Sequence, residues 1–160
     1  MSSGVKKTNA MRMLDSAKIP YEVRTYEFEE TDLAGVHAAD AVGMPYESVF
    51  KTLVARGDKT GFVVFCIPVA EELDLKKAAR ASKNKSVELL HVKDLLPTTG
   101  YIRGGCSPVG MKKEFPTYID ETAMPFDAIA VSGGMRGVQL IVNPDQLLGF
   151  VKGEYVDLTA

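Results

Sequence analysis

The chain has 160 residues, of which 46% are hydrophobic and 25% charged, with a net charge of −2. That length and balance belong to one ordinary soluble globular domain able to bury a real core. No apolar run approaches the roughly 20 residues that span a bilayer, and the start MSSGVKKTNAM has no apolar signal core, so a cytoplasmic, membrane-free protein is expected. Cys66 and Cys106 stand outside any CxxC or Cys/His cluster, and His37 and His91 are far apart, so neither a metal nor another cofactor is expected.

The spacing of Met11, Leu14 and Ala17 predicts a helix over 6–18, ended by Pro20. Alternation over Tyr21 to Tyr26 predicts a half-exposed strand, and the acidic run EFEETDLAG a loop. A helix over 36–42, closed by Gly43, follows. Strands at 49–56 and 61–67 flank RGDKTG and read as a hairpin. Asp74 is a natural N-cap for a helix over 75–81. Then come a strand at 87–90, a short helix at 92–96, and strands at 100–103, 116–119, 127–132 and 137–142. Pro144 opens a last helix through Phe150, and 155–158 reads as a final strand. This irregular alternation with hairpins predicts an α+β domain and not a doubly wound parallel sheet. No linker or repeat divides it, so 1–160 reads as one domain, with residues 1–5 as candidates for disorder.

The run VFKTLV (49–54) carries the sharpest chemical signal, because it sets one cation, Lys51, inside an apolar strand. Lysine is rarely buried without a partner, so such a strand points to a cleft that holds an anion. The bland alternative is a lysine snorkelling from an edge strand. Thr52 adds a hydroxyl, or is simply a β-branched strand residue. Two glycine-rich turns follow, GYIRGGCSPVGMKK (100–113) and SGGMRG (132–137). Glycines let backbone N–H groups approach phosphate or carbonyl oxygens. Cys106 and Ser107 have no histidine or acidic partner in sight, so neither reads as an activated nucleophile. Cys66, in FVVFCIP, reads as a buried inert thiol.

Those three segments, in that order, closely resemble the YbaK/EbsC family of free-standing aminoacyl-tRNA deacylases. RTYEF (24–28), IPVAEELDLKKAA (67–79) and FPTYID (115–120) extend the match from about Tyr21 to Leu148. The chain also resembles the editing domain inserted in bacterial prolyl-tRNA synthetases, a relative of the same fold. The resemblance implies a mixed, barrel-like sheet with helices packed outside. It implies removal of cysteine wrongly attached to tRNA, from Cys-tRNA(Pro) and also Cys-tRNA(Cys), through attack of the substrate's own thiol on its carbonyl.

In that scheme Lys51 fixes the terminal adenosine phosphate or the ester region, and Gly104 and Gly105 present N–H groups to the oxyanion. Thr52, Ser132, Gly133 and Gly134 bind substrate, and Arg136 meets a phosphate. Tyr26 and Ala34 correspond to pocket positions; at the second, often aromatic in relatives, Ala34 enlarges the wall or leaves it to Leu33. Gln139 replaces a residue that is acidic in some relatives, so the substrate's α-ammonium meets an amide in place of a charge.

Charge is distributed unevenly. Residues 75–113 carry 9 basic and 2 acidic side chains, while both flanks are acidic. Lys76, Lys77, Arg80, Lys112 and Lys113 are therefore candidates for tRNA backbone contact, against the bland reading of a solvated helix face. The expected partner is misacylated tRNA, with prolyl-tRNA synthetase as a transient one. The alternatives are hydrolysis of another small residue such as alanine on tRNA(Pro), and a non-catalytic tRNA- or synthetase-binding module. A nucleotide-binding protein is disfavoured because no Walker loop or Rossmann fingerprint is present.

Overall fold

A computed structural model of the chain describes residues 6–27 and 43–160. The expected helix over 36–42, with His37, Leu33 and Ala34, lies outside the described residues. The described elements are α1 (Asn9–Ser16), β1 (Tyr21–Thr25), β2 (Phe50–Gly57), β3 (Gly61–Pro68), α2 (Leu75–Ser82), β4 (Val87–Leu89), α3 (Val92–Thr99), β5 (Thr117–Asp120), β6 (Ile129–Ser132), β7 (Val138–Val142), α4 (Pro144–Val151) and β8 (Glu154–Val156). Capping follows local chemistry. Thr8 caps α1, Asp74 accepts from the N–H groups of Lys76 and Lys77, and Asn143 accepts from that of Gln146.

Two sheets result, in the strand orders β1-β7-β6 and β4-β2-β3-β5-β8. β2 and β3 form the expected hairpin, whereas β3–β5 and β5–β8 run parallel. The sheets pack across a core of Phe50, Val54, Val64, Cys66 and Ile119 against Ile129, Val131, Val138, Leu140 and Val142. Helix α1 contributes Ala10, Met11 and Leu14 to that core, and α4 contributes Leu147. The other face of the larger sheet packs Ala55, Val63, Phe65 and Ile67 against Ala78 and Ala79 of α2.

The α+β class holds, with helices outside the sheets. The barrel-like expectation does not hold as closure. Among the described residues β2 and β6 meet at a single parallel bridge, Val49 to Ala130, so the sheets touch without closing. The strand expected at 100–103 is also corrected. Tyr101 and Ile102 lead into a turn at Arg103–Gly104, closed by the Gly105 N–H donating to Ile102 O at 3.0 Å. Helix α3 runs three residues past the expected end at Leu96, although Pro97 costs it one N–H bond, and it stops at Gly100, at φ +89°.

Asn84 staples the β2–β3 turn to the end of α2. Its side chain accepts from the N–H groups of Lys59 and Thr60 and donates to the hydroxyls of Thr60 and Ser82, all within 3.0 Å. With Asn84 only 8% exposed, Asn84→Ala strands two backbone donors. Chemical denaturation should show a loss of about 1–3 kcal/mol with the fold retained.

Candidate active site

Strand register builds the site. In an antiparallel pair, directly opposed residues point to one face, and the face alternates with every residue. Gln139 of β7 lies opposite both Ser132 of β6 and Arg24 of β1. All three therefore share a face with Ala130 and Ile141, two residues away. Ala130 and Ile141 pack with Val49 and Val69. Val49 is bridged to Ala130, and Lys51 follows two residues on, facing the same way. Arg24, Gln139, Ser132 and Lys51 thus form one row across the junction of the sheets. Tyr26 extends β1 past its last ladder pair, its N–H donating to Gly137 O at 2.9 Å, so it sits on the same face beside the row.

Ser132 and Gln139 are buried and Lys51 is partly buried. Burial pulls the Lys51 ammonium below its ordinary value of 10.5; Glu72 and Glu71 pull it back up, and Arg103 pushes it further down. Glu71 and Glu72 arrive here because β3, paired with β2 at Ile67 to Lys51, ends in the turn that carries them. Gln139 Oε1 is buried without a hydrogen-bond donor among the described residues. An orphan acceptor of this kind costs about 1–3 kcal/mol.

Thr52 does not join this row through its side chain. It faces the opposite side of β2, with its hydroxyl 3.8 Å from Cys66 Sγ. Its backbone is placed differently. Val49 O accepts from Val69 N–H on the β3 side, and Val54 O accepts from Leu90 N–H on the other edge. The peptide groups alternate, so those of Thr52 point to that second edge. Among the described residues, pairing lapses there between the Val49–Ala130 bridge and the β2–β4 ladder at Ala55 to Leu89.

The two glycine turns meet beside that gap. A methyl on Gly105 would lie 3.0 Å from Met135 Cα and 3.1 Å from Arg136 N, so only glycine lets these backbones touch. Arg136 Nε donates to Arg103 O at 2.9 Å across the same contact. Most of the glycine N–H groups are committed. Gly105 donates to Ile102 O, Gly133 to Val138 O at 2.9 Å, and Gly134 to Ser132 Oγ at 3.2 Å. Gly104, exposed at φ +86°, is the member of the set whose N–H has no partner among the described residues.

Both thiols are buried, and burial pushes each up to about 12, so they stay protonated near neutrality. Ser107 is buried and accepts from Val109 N–H. Among the described residues, no group of three or more His, Cys, Asp or Glu could hold a metal ion.

The basic candidates are not one patch. Lys76 and Arg80 line an open groove of about 420 Å³ with Lys85, Asn84 and Ser86. Lys77 is committed elsewhere, with Nζ 2.7 Å from Thr159 O and 2.9 Å from Asp157 Oδ2. Lys112 reaches Pro97 O at 3.3 Å, beside the end of α3. Lys113 is exposed. Arg103, Glu71 and Glu72 were not singled out from sequence; an arginine inside a glycine turn was the available signal for the first.

Residues 30–150 match the model of the aminoacyl-tRNA editing domain family, more than half of the chain. The chain belongs to that family. It is 51% identical over 154 residues, covering 96% of this chain and 94% of the relative, to EbsC of Enterococcus faecalis (strain ATCC 700802 / V583), a proposed Cys-tRNA(Pro)/Cys-tRNA(Cys) deacylase. A crystal structure of a proposed trans-editing enzyme for prolyl tRNA synthetase superposes with a TM-score of 0.81 at 25% identity, covering 98% of this chain and 99% of that one. The hypothetical protein APE2540 shares the fold, with a TM-score of 0.85 at 18% identity over 96% of this chain and 100% of its own. Membership makes the chain an aminoacyl-tRNA editing enzyme. No helix among the described residues is long and apolar enough to cross a membrane.

A lysine whose folded-state pKa lies below its unfolded one binds fewer protons when folded, so its burial cost is present at neutral pH and fades as pH climbs toward 10.5. Lys51→Met should therefore melt at or above the wild-type temperature at pH 7. The wild type should gain on it as pH rises toward 10. Calorimetry across that range checks both signs.

Proposed function

We propose that this chain is a free-standing, cytoplasmic deacylase that removes cysteine from Cys-tRNA(Pro), and from Cys-tRNA(Cys), using the substrate's own thiol. The observation that carries this reading is Gln139 Oε1, a buried acceptor with no donor among the described residues, in one row with Ser132 and Lys51. A substrate α-ammonium supplies the missing donor and is held by a hydrogen bond instead of an ion pair. Lys51 then meets the anionic end of the acylated nucleotide, its charge favoured by Glu71 and Glu72. The N–H of Gly104 and that of Thr52, neither of which has a partner among the described residues, provide the donors for the developing oxyanion.

Bond changes follow from this placement. The substrate sulfur attacks its own carbonyl carbon, a C–S bond forms, and the ester C–O bond to the ribose breaks. The thiol proton ends on the ribose oxygen. The products are tRNA and cysteine thiolactone, which water later opens to cysteine. The step is intramolecular, so orienting the thiol gives an entropic advantage without a protein nucleophile. Two protonated, buried protein thiols are consistent with that economy. The groove of Lys76, Arg80 and Lys85 is suited to the tRNA backbone, and the likeness to a proposed trans-editing enzyme for prolyl tRNA synthetase supports that synthetase as the transient partner.

The deciding assay is deacylation across Cys-tRNA(Pro), Cys-tRNA(Cys), Ser-tRNA and Ala-tRNA(Pro). Cysteine should leave at least tenfold faster than serine, and Lys51→Ala should lose most activity while Cys106→Ala keeps it. Equal cysteine and serine rates would remove the thiol mechanism. Alanine leaving fastest would shift the substrate, and no release at all would leave a binding module.

Affinity for tRNA should fall with salt, since each neutralised phosphate releases counterions. Neutralising Lys76, Arg80 and Lys85 together should flatten the slope of log affinity against log salt by about two. An unchanged slope would make the groove a solvated face.

A further inference from the structure

Ile102 and Met135 are large apolar residues left 45% and 47% exposed. They stand on different turns, yet those turns are in backbone contact, because Gly105 has no side chain to hold Met135 away. Ile102 is tied into the same contact, its carbonyl accepting from Gly105 N–H. Two cations flank the pair. Arg103 follows Ile102, Arg136 follows Met135, and Arg136 Nε holds Arg103 O at 2.9 Å. Ser132, a member of the row, leads directly into the turn that carries Met135, and Arg103 acts on the charge of Lys51, so the pair lies at the rim of the row. An exposed apolar pair is uninformative alone. Two such residues between two arginines, at the rim of a site for an acylated nucleotide, match a ligand with a flat apolar base and an anionic phosphate.

We propose that Ile102 and Met135 form the platform on which the adenine of the ester-bearing 3′-terminal adenosine packs, with Arg103 and Arg136 against its phosphate. The identity of the base rests on the deacylase reading. The stacking surface itself does not. The branched side chain of Ile102 and the polarizable thioether of Met135 suit an aromatic face, and sulfur–aromatic contacts are favourable. A base held there fixes the ribose, and with it the ester, over the row of Lys51, Ser132 and Gln139. Binding energy from a non-reacting part of the substrate thus orients the reacting part.

The test labels the isoleucine δ1 and methionine ε methyl groups of the full chain with carbon-13. Adenosine 5′-monophosphate should shift the Ile102 and Met135 methyls upfield by ring current, and ribose 5-phosphate should leave them in place. Ile102→Ser and Met135→Ser should each lower kcat/KM for Cys-tRNA(Pro) about tenfold, with part of the loss in kcat. Both positions are exposed, so folding should survive, and circular dichroism checks it. No methyl shift with the adenine nucleotide, in a chain that still deacylates Cys-tRNA(Pro), overturns the platform and leaves the enzyme reading intact. Equal shifts with ribose 5-phosphate also overturn it, as does an unchanged kcat/KM in both variants. Methyl shifts specific to the adenine nucleotide in a chain inactive on every aminoacyl-tRNA support the platform while removing the deacylase reading.

Discussion

The site depends on one bridge. Val49 meets Ala130 in a parallel pairing that joins two sheets and then stops. Had the pairing continued, Lys51 and Ser132 would be neighbours in a closed ladder, and the backbone of Thr52 would be spent on β6. Because it stops, β2 has no further strand partner on that edge among the described residues until it meets β4 at Ala55. The bridge also fixes phase. Strand side chains alternate, so one registered pair decides that Lys51, Ser132 and Gln139 share a face and that Thr52 does not. The apolar cluster of Val49, Val69, Ala130 and Ile141 holds this register.

Much of this was legible in the sequence. The hairpin, the Asp74 cap, and the helix opened by Pro144 follow from local chemistry, and the structure has them. The motif order pointed to the family that the comparisons show. Phase and commitment were not legible. VFKTLV reads as adjacent Lys and Thr, but a period of two sends one side chain to the anion row and the other to Cys66. Glycine turns read as N–H donors, yet Gly105, Gly133 and Gly134 use theirs to hold the turns themselves. Lys77 reads as part of a basic face, but the C-terminal segment that captures it is 82 residues away in sequence. The Lys77 contact is long-range and spacing does not encode it; the glycine N–H groups are spent on bonds between residues two to five apart, which a glycine-rich composition does not reveal.

The row also shows where stability is given up. A buried amide oxygen without a donor and a partly buried ammonium both weigh against folding. Apolar residues at these two positions would pack without that penalty. Local rules that fail together in one place, inside a chain that obeys them elsewhere, support the proposal that this row is shaped for a ligand and not for the fold.

The two glycine turns complete that logic. They are separated by about thirty residues in sequence, yet the absence of one Cβ at Gly105 brings their backbones into contact. The Arg136 to Arg103 hydrogen bond crosses the same seam, so neither turn can shift without the other. Ser132 leads directly into one turn and Arg103 belongs to the other, so this seam links both to the phase set at the Val49 bridge. The positions of Lys51, Ser132 and the exposed turn residues are thereby fixed by backbone geometry before any substrate arrives. The proposed substrate-thiol mechanism needs that rigidity, because in it orienting the substrate is the part of the reaction left for the protein to perform.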